Sequence, residues 1–294
     1  MIVAAVFGVA SVGALDLGCA AARTQAMPDR SDATARIAEA DRRLAQLERF
    51  EATGTVVLPV RSGSGAIDEE QLDLLLLRER PGRLAIRLKL SVTDTLAWLG
   101  SDGTRWWLFL PEETPSTVWH GMVASSGNSQ LEDESIPLPP GLRHPRIVDV
   151  LLGLEPADDL ASLEWNSADR RWWIESPVFG DASDDSGWTV RRGYAETGPV
   201  AEVIEVRDAA GMLVARSRLA GHERVEVPDR PVGDWPLVPM RIEVSGSGAE
   251  DPPARLSLER PSGRGGRVKA AAFDWGRLLE SMRPERIVQV GASS

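Results

Sequence analysis

Thiol, imidazole and carboxylate groups are the side chains of this 294-residue sequence that could do chemistry, and their spacing restricts what they do. The single cysteine, Cys19, stands just after an uncharged apolar run, and Asp16 is the first charge in the chain. With no second cysteine there is no internal disulfide, so a lone thiol here points to modification or to simple burial in an N-terminal helix. The three histidines, His120, His144 and His222, stand apart, and no His-x-x-x-His pair presents two imidazoles to one zinc ion. "DASDDSG" (181–187) has the oxygen ligands of a calcium loop, but its glycine falls one place late and the twelfth position is Arg192 rather than glutamate. A solvated acidic loop is the better reading. Asp158 with Asp159, or Asp94 with Asp102, could pair as general acid and base, yet their spacing does not select them over surface charges. The expectation is a protein with no cofactor and no metal that binds or supports rather than catalyses.

Residues Ile2 to Leu15 are uncharged and small or apolar. A membrane-spanning helix needs roughly 20 such residues and a signal-peptide core about 7 to 15, so the stretch reads as an export signal. Gly18 and Cys19 resemble the end of a bacterial lipoprotein signal, with Asp16 and Leu17 departing from the usual residues. That resemblance implies removal of residues 1–18, lipidation of Cys19 with acyl chains such as palmitate, and a membrane attachment through the lipid. Ala20 in place of Asp after the cysteine favours an outer-membrane lipoprotein facing the periplasm. An ordinary cleavable signal cut within "GCAAA" is the alternative. A formal net charge of −11 and a pI near 4.9, with no basic stripe, exclude a nucleic-acid partner. The hydrophobic content, 43%, suffices for a sizeable core without disulfides.

Behind a small, polar tether over residues 19–30, Ile37, Ala40, Leu44 and Leu47 recur at helical spacing, with Ser31 or Asp32 as the cap. After Phe50 the period becomes two. Phe50, Ala52, Val56, Leu58 and Val60 share one face, as do Leu84, Ile86, Leu88 and Leu90, with Arg83, Arg87 and Lys89 opposite. "QLDLLLLRERPGR" is a strand closed by a Pro-Gly turn, and "LAWLGSDGTRWWLFLP" is a hairpin. "HPRIVDVLLGLEP" predicts a short helix opened by Pro145, with Ile147, Val150, Leu151 and Leu154 on its apolar face. Strands return from "SLEWN" to "ARLSLER", about a dozen in all, as one domain over residues 31–294, and a sheet of that size curls. The indoles of Trp106 with Trp107, and of Trp172 with Trp173, fall on opposite faces of their strands, so both faces need cover. The similarity of "SDGTRWWLFLP" to "SADRRWWIESP" reads as two tight turns feeding aromatic strands rather than as a repeat.

The order of these parts, and above all "RPGRLAIRL" and "SDGTRWWLFLP", resembles the LolA/LolB-like lipoprotein-carrier families and related LolA-like domains of unknown function. The resemblance spans roughly residues 32–275. It implies a mainly β fold, an unclosed antiparallel β-barrel with an N-terminal helix and a short inserted helix. It further implies an apolar cavity for acyl chains or lipoproteins, and a part in outer-membrane lipoprotein localisation or envelope assembly. The cavity candidates are Leu84, Ile86, Leu88, Leu90, Trp98, Trp106, Ile147, Leu151 and Leu154. The other reading is a structural or interaction lipoprotein of the envelope, its core filled by its own side chains.

Overall fold

The computed structural model describes residues 27–61, 67–90, 95–111, 114–123, 145–157, 160–178, 187–246 and 252–290. The expectations for Cys19, the signal, most of the tether, His144, Asp94, Asp158, Asp159 and all but Gly187 of the acidic loop fall outside these residues.

Helix α1 (Arg30–Ala45) buries Ala33, Ile37 and Leu44. Its cap is Asp29, which accepts from the Ser31 N–H at 2.8 Å, rather than Ser31 or Asp32; the helix thus begins one residue inside the expected tether. Six strands follow in a meander: β1 (Arg49–Arg61), β2 (Ile67–Glu79), β3 (Arg83–Lys89), β4 (Thr95–Asp102), β5 (Arg105–Leu110) and β6 (Thr117–Met122). Helix α2 (Pro145–Leu151) comes next. A second run comprises β7 (Glu164–Asn166), β8 (Arg171–Pro177), β9 (Thr189–Ala195), β10 (Ala201–Arg207), β11 (Leu213–Ala220), β12 (Glu223–Arg224), β13 (Leu237–Val238), β14 (Arg241–Gly246) and β15 (Ala254–Ser262). Helix α3 (Trp275–Met282) and β16 (Arg286–Gln289) complete it.

Among the described residues, fourteen strands form one sheet in the order β16-β6-β5-β4-β3-β2-β1-β15-β14-β11-β10-β9-β8-β7, and β12 pairs with β13 apart from it. Antiparallel pairing of β1 with β15 joins the two meanders. The end strands, β16 and β7, do not pair with each other, so the barrel is unclosed, as the resemblance implies. Three features depart from the sequence reading. "PLVPMRIEV" is divided between β13 and β14 by Pro239 and Met240, since proline cannot donate to a ladder. The C-terminal segment adds a third helix, α3. It also adds β16, which lies parallel to β6 where the rest of that meander is antiparallel.

Alternation sorts the sheet into two faces. Ala52, Leu76, Ile86, Leu99, Leu108 and Trp119 lie in one cross-strand row of the inner face. In the second meander that face continues through Leu258, Ile242, Leu219, Ala215, Val206, Ile204 and Val190, and one apolar cluster holds them all. Helix α1 packs on the far end through Ala33 and Ile37 against Trp172, Ile174 and Tyr194.

Candidate functional site: the concave face and its helix

The inner face is apolar because β1 to β5 each direct their hydrophobic set the same way, and α2 lies against it with Ile147, Val150, Leu151 and Leu154 buried. Phe50, Leu84 and Trp106 share the row nearest this helix, and each is at most 2% exposed. A water-sized sphere barely reaches these side chains, so here the space over the sheet is filled by the protein itself. Toward the other end of the same strands, Ile86, Leu88 and Leu110 are only half-buried against the cluster.

Seven of the nine cavity candidates come together: Leu84, Trp106, Ile147, Leu151 and Leu154 inside the inner cluster, Ile86 and Leu88 at its margin. The other two lie elsewhere. Trp98 pairs across strands with Arg87 and Phe109, which places it on the outer face, where the Arg87 guanidinium stacks on its ring at 4.1 Å. Its partners there are Trp107, Phe109 and Leu278, because the register of β4 against β3 puts Leu99, not Trp98, beside Ile86. Leu90 follows the last residue of β3 and is 50% exposed. Asp102, weighed above as an acid or base, instead accepts from the backbone N–H groups of Thr104 and Arg105 in the β4–β5 turn.

Sequence reasoning passed over Arg78, the main polar group of this region. Continuing the alternation Leu72, Leu74, Leu76 along β2 puts residue 78 on the apolar face, so the signal was present. Arg78 Nε donates to both Asp149 carboxylate oxygens at 2.7 and 2.9 Å, and its Nη2 reaches Glu155 at 3.3 Å. Asp149 belongs to α2, so a nearly water-free ion pair ties the helix to the sheet. Burial pushes the Asp149 carboxyl up to about 6, against the pull of Arg78 and with the charge of Glu155 adding to the rise. A buried pair of this kind adds little net stability but is costly to break, which suits a device that specifies where α2 sits.

A void of about 30 Å³, space for roughly one water, lies under the C-terminal half of α1, lined by Asp41, Glu155, Arg192, Tyr194 and His222 among others. Larger clefts are polar and open. One of about 830 Å³ runs beside the β2–β3 and β4–β5 turns and the start of α2. Among the described residues no cluster of three or more histidine, cysteine or acidic side chains could hold a metal ion, and no helix is long and apolar enough to cross a membrane.

No family model matches the chain, and no curated protein matches it. Among solved structures, a DUF1329 family protein from Desulfovibrio piger is similar at a TM-score of 0.50 and 12% identity, over 84% of this chain and 99% of that one. That likeness shows the fold and nothing of activity. A LolA superfamily protein from Nitrosomonas europaea superposes at a TM-score of 0.46 and 11% identity, over 80% of this chain and 93% of that one. The half-barrel expected from the sequence is the fold the chain adopts.

Proposed function

We propose that this is a non-catalytic, exported protein of the cell envelope that holds an acyl chain, free or on a lipoprotein, against the concave face of its sheet. The single observation behind the reading is the continuity of that face. Its buried apolar cluster runs without interruption into the half-exposed Ile86, Leu88 and Leu110, and its closed end is covered by a short helix rather than by another strand. A chain laid along the half-exposed margin gains affinity from apolar area removed from water, roughly 25 cal/mol per Å², and more area becomes accessible wherever α2 yields. The envelope location rests on the stretch ending at Cys19.

Titration of the purified protein with a fluorescent fatty acid or lipopeptide tests this. Saturable uptake is expected in wild type and in Arg87→Ala, whose side chain lies on the outer face. Uptake should be lost in Ile86→Asp and in Leu88→Asp, because a bound chain would bury an unpaired charge. Loss in only one of these two would contradict their shared face. Labelling with a palmitate analogue, in wild type and in Cys19→Ala, tests the anchor; equal labelling of both would remove it.

A second reading has its own support. Phe50, Leu84, Trp106, Ile147 and Leu154 are packed to near-complete burial, as in a filled core. If wild type takes up no lipid, the protein is a structural or interaction lipoprotein whose helix is a permanent part of the core.

A further inference from the structure

We propose that a cleft on the outer face, at the ends of β10 and β11, binds a phosphate-bearing anion. This goes beyond the acyl-chain reading and uses the opposite side of the sheet. The cleft encloses about 540 Å³ and includes Arg171, Arg216, Arg218, Glu202 and His222 in its lining. Its shape comes from a β-bulge in β10 between Ala201 and Val203, which places Glu202 out of register, and from the end of β11 at Gly221.

Charge singles this concavity out. The chain carries a formal net charge of −11, and the cleft beside α2 is lined by Arg80, Arg83 and Arg146 against four carboxylates. In the cleft beside α3, Arg83 and Arg105 face Asp102 and Asp274. At the β10–β11 cleft three arginines meet one carboxylate, Glu202. Those arginines are only partly engaged. Arg216 donates through Nη2 to Glu205 at 2.7 Å, a carboxylate that also accepts from Arg207, and Arg171 reaches Glu202 only at 3.5 Å. Arg218 is exposed and forms no ion pair among the described residues; its cross-strand neighbour in β14 is Glu243.

Arginines of β8 and β11, strands with β9 and β10 between them, suit a tetrahedral oxyanion better than a carboxylate. A phosphate group presents its oxygens in a tetrahedral array, whereas the acceptor sites of a carboxylate lie in one plane. The same chemistry is offered by a free phosphate compound and by a phospholipid headgroup.

The test is calorimetric titration of the full chain with inorganic phosphate at low ionic strength, together with co-sedimentation on phosphatidylcholine vesicles with and without phosphatidylglycerol. Wild type should bind phosphate at one site per chain, less tightly as salt rises. Arg218→Glu should weaken binding at least tenfold while leaving the unfolding temperature and acyl-chain uptake unchanged, which separates this proposal from the previous one. Arg230→Glu makes the same charge change at an exposed position remote from the lining and should bind as wild type. Co-sedimentation only with phosphatidylglycerol, abolished in Arg218→Glu, identifies a headgroup; phosphate binding without it identifies a soluble phosphate compound. Absence of wild-type phosphate binding, or equal weakening by both substitutions, overturns the proposal.

Discussion

Trp107 on β5 and Trp173 on β8 are each the second residue of a Trp-Trp pair, yet they are covered in opposite ways. Both point outward, and each lies over a glycine of the neighbouring strand: Gly100 opposite Trp107, Gly193 opposite Trp173. A Cβ on Gly100 would lie 2.5 Å from the Trp107 ring, and one on Gly193 would lie 3.0 Å from the Trp173 ring. Above Trp107 the chain lays an apolar strap, with Leu278 and the Trp275 ring, 5.8 Å away, closing a cluster with Trp98, Phe109 and Val118. Above Trp173 stands the Arg191 guanidinium at 4.8 Å, part of a group in which Arg207 and Arg216 also surround the nearly buried Glu205. An outward indole needs cover, and either a helix or arginine stems can supply it. The cover of Trp173 is a set of paired arginines, whereas that of Trp107 is mainly apolar side chains.

The difference can be broken in order of effect. Trp107→Ala should be the most destabilising, by about 3–5 kcal/mol, because it empties a site closed on every side; urea denaturation measures it. Gly100→Ala comes next, at about 1–3 kcal/mol, since the indole must shift to admit the methyl group, and Gly193→Ala should cost less than Gly100→Ala. The reverse order would mean that the strap yields more easily than the arginine cover. Arg191→Ala removes one stacked cation and should cost about 0.5–1 kcal/mol by the same measurement. The smallest effect is in pH. His120 lies 4.9 Å from the Trp275 ring, and burial, aided by Arg105, lowers its pKa below the usual 6.5. A depressed folded value means that the unfolded chain binds the proton first. Its contribution is therefore full above about 6.5 and declines as pH falls through the folded value. The protection of the Trp275–Met282 amides, measured by hydrogen exchange relative to the intrinsic rate at each pH, should fall on acidification in wild type and much less in His120→Gln.

Residues 274–282 also show where reading stopped short. Asp274 caps α3 by accepting from the Arg277 N–H, and Trp275, Leu278, Leu279 and Met282 follow at helical spacing, so the helix was legible although no expectation named it. Arg78 was legible in the same way from the alternation of β2. Its partner was not, because nothing in the spacing of residues 78 and 149 along the chain brings them together. Trp98 is one of the concave-face candidates read from the sequence. Only its pairing with Arg87 and Phe109 turns it outward.

Period-two alternation, the Pro-Gly and Ser-Asp-Gly turns and the Pro145 helix start are local properties, encoded within a few residues and decided by backbone sterics and side-chain burial. They were enough to determine a mainly β chain and which residues of each strand share a face, whereas the half-barrel was what the resemblance implied. Which face turns inward, that α2 fills the closed end, that Asp149 meets Arg78, and that arginines of β8 and β11 border one cleft were decided only by tertiary structure. These depend on strand order and register over separations of many tens of residues, where one step of slip exchanges inside for outside.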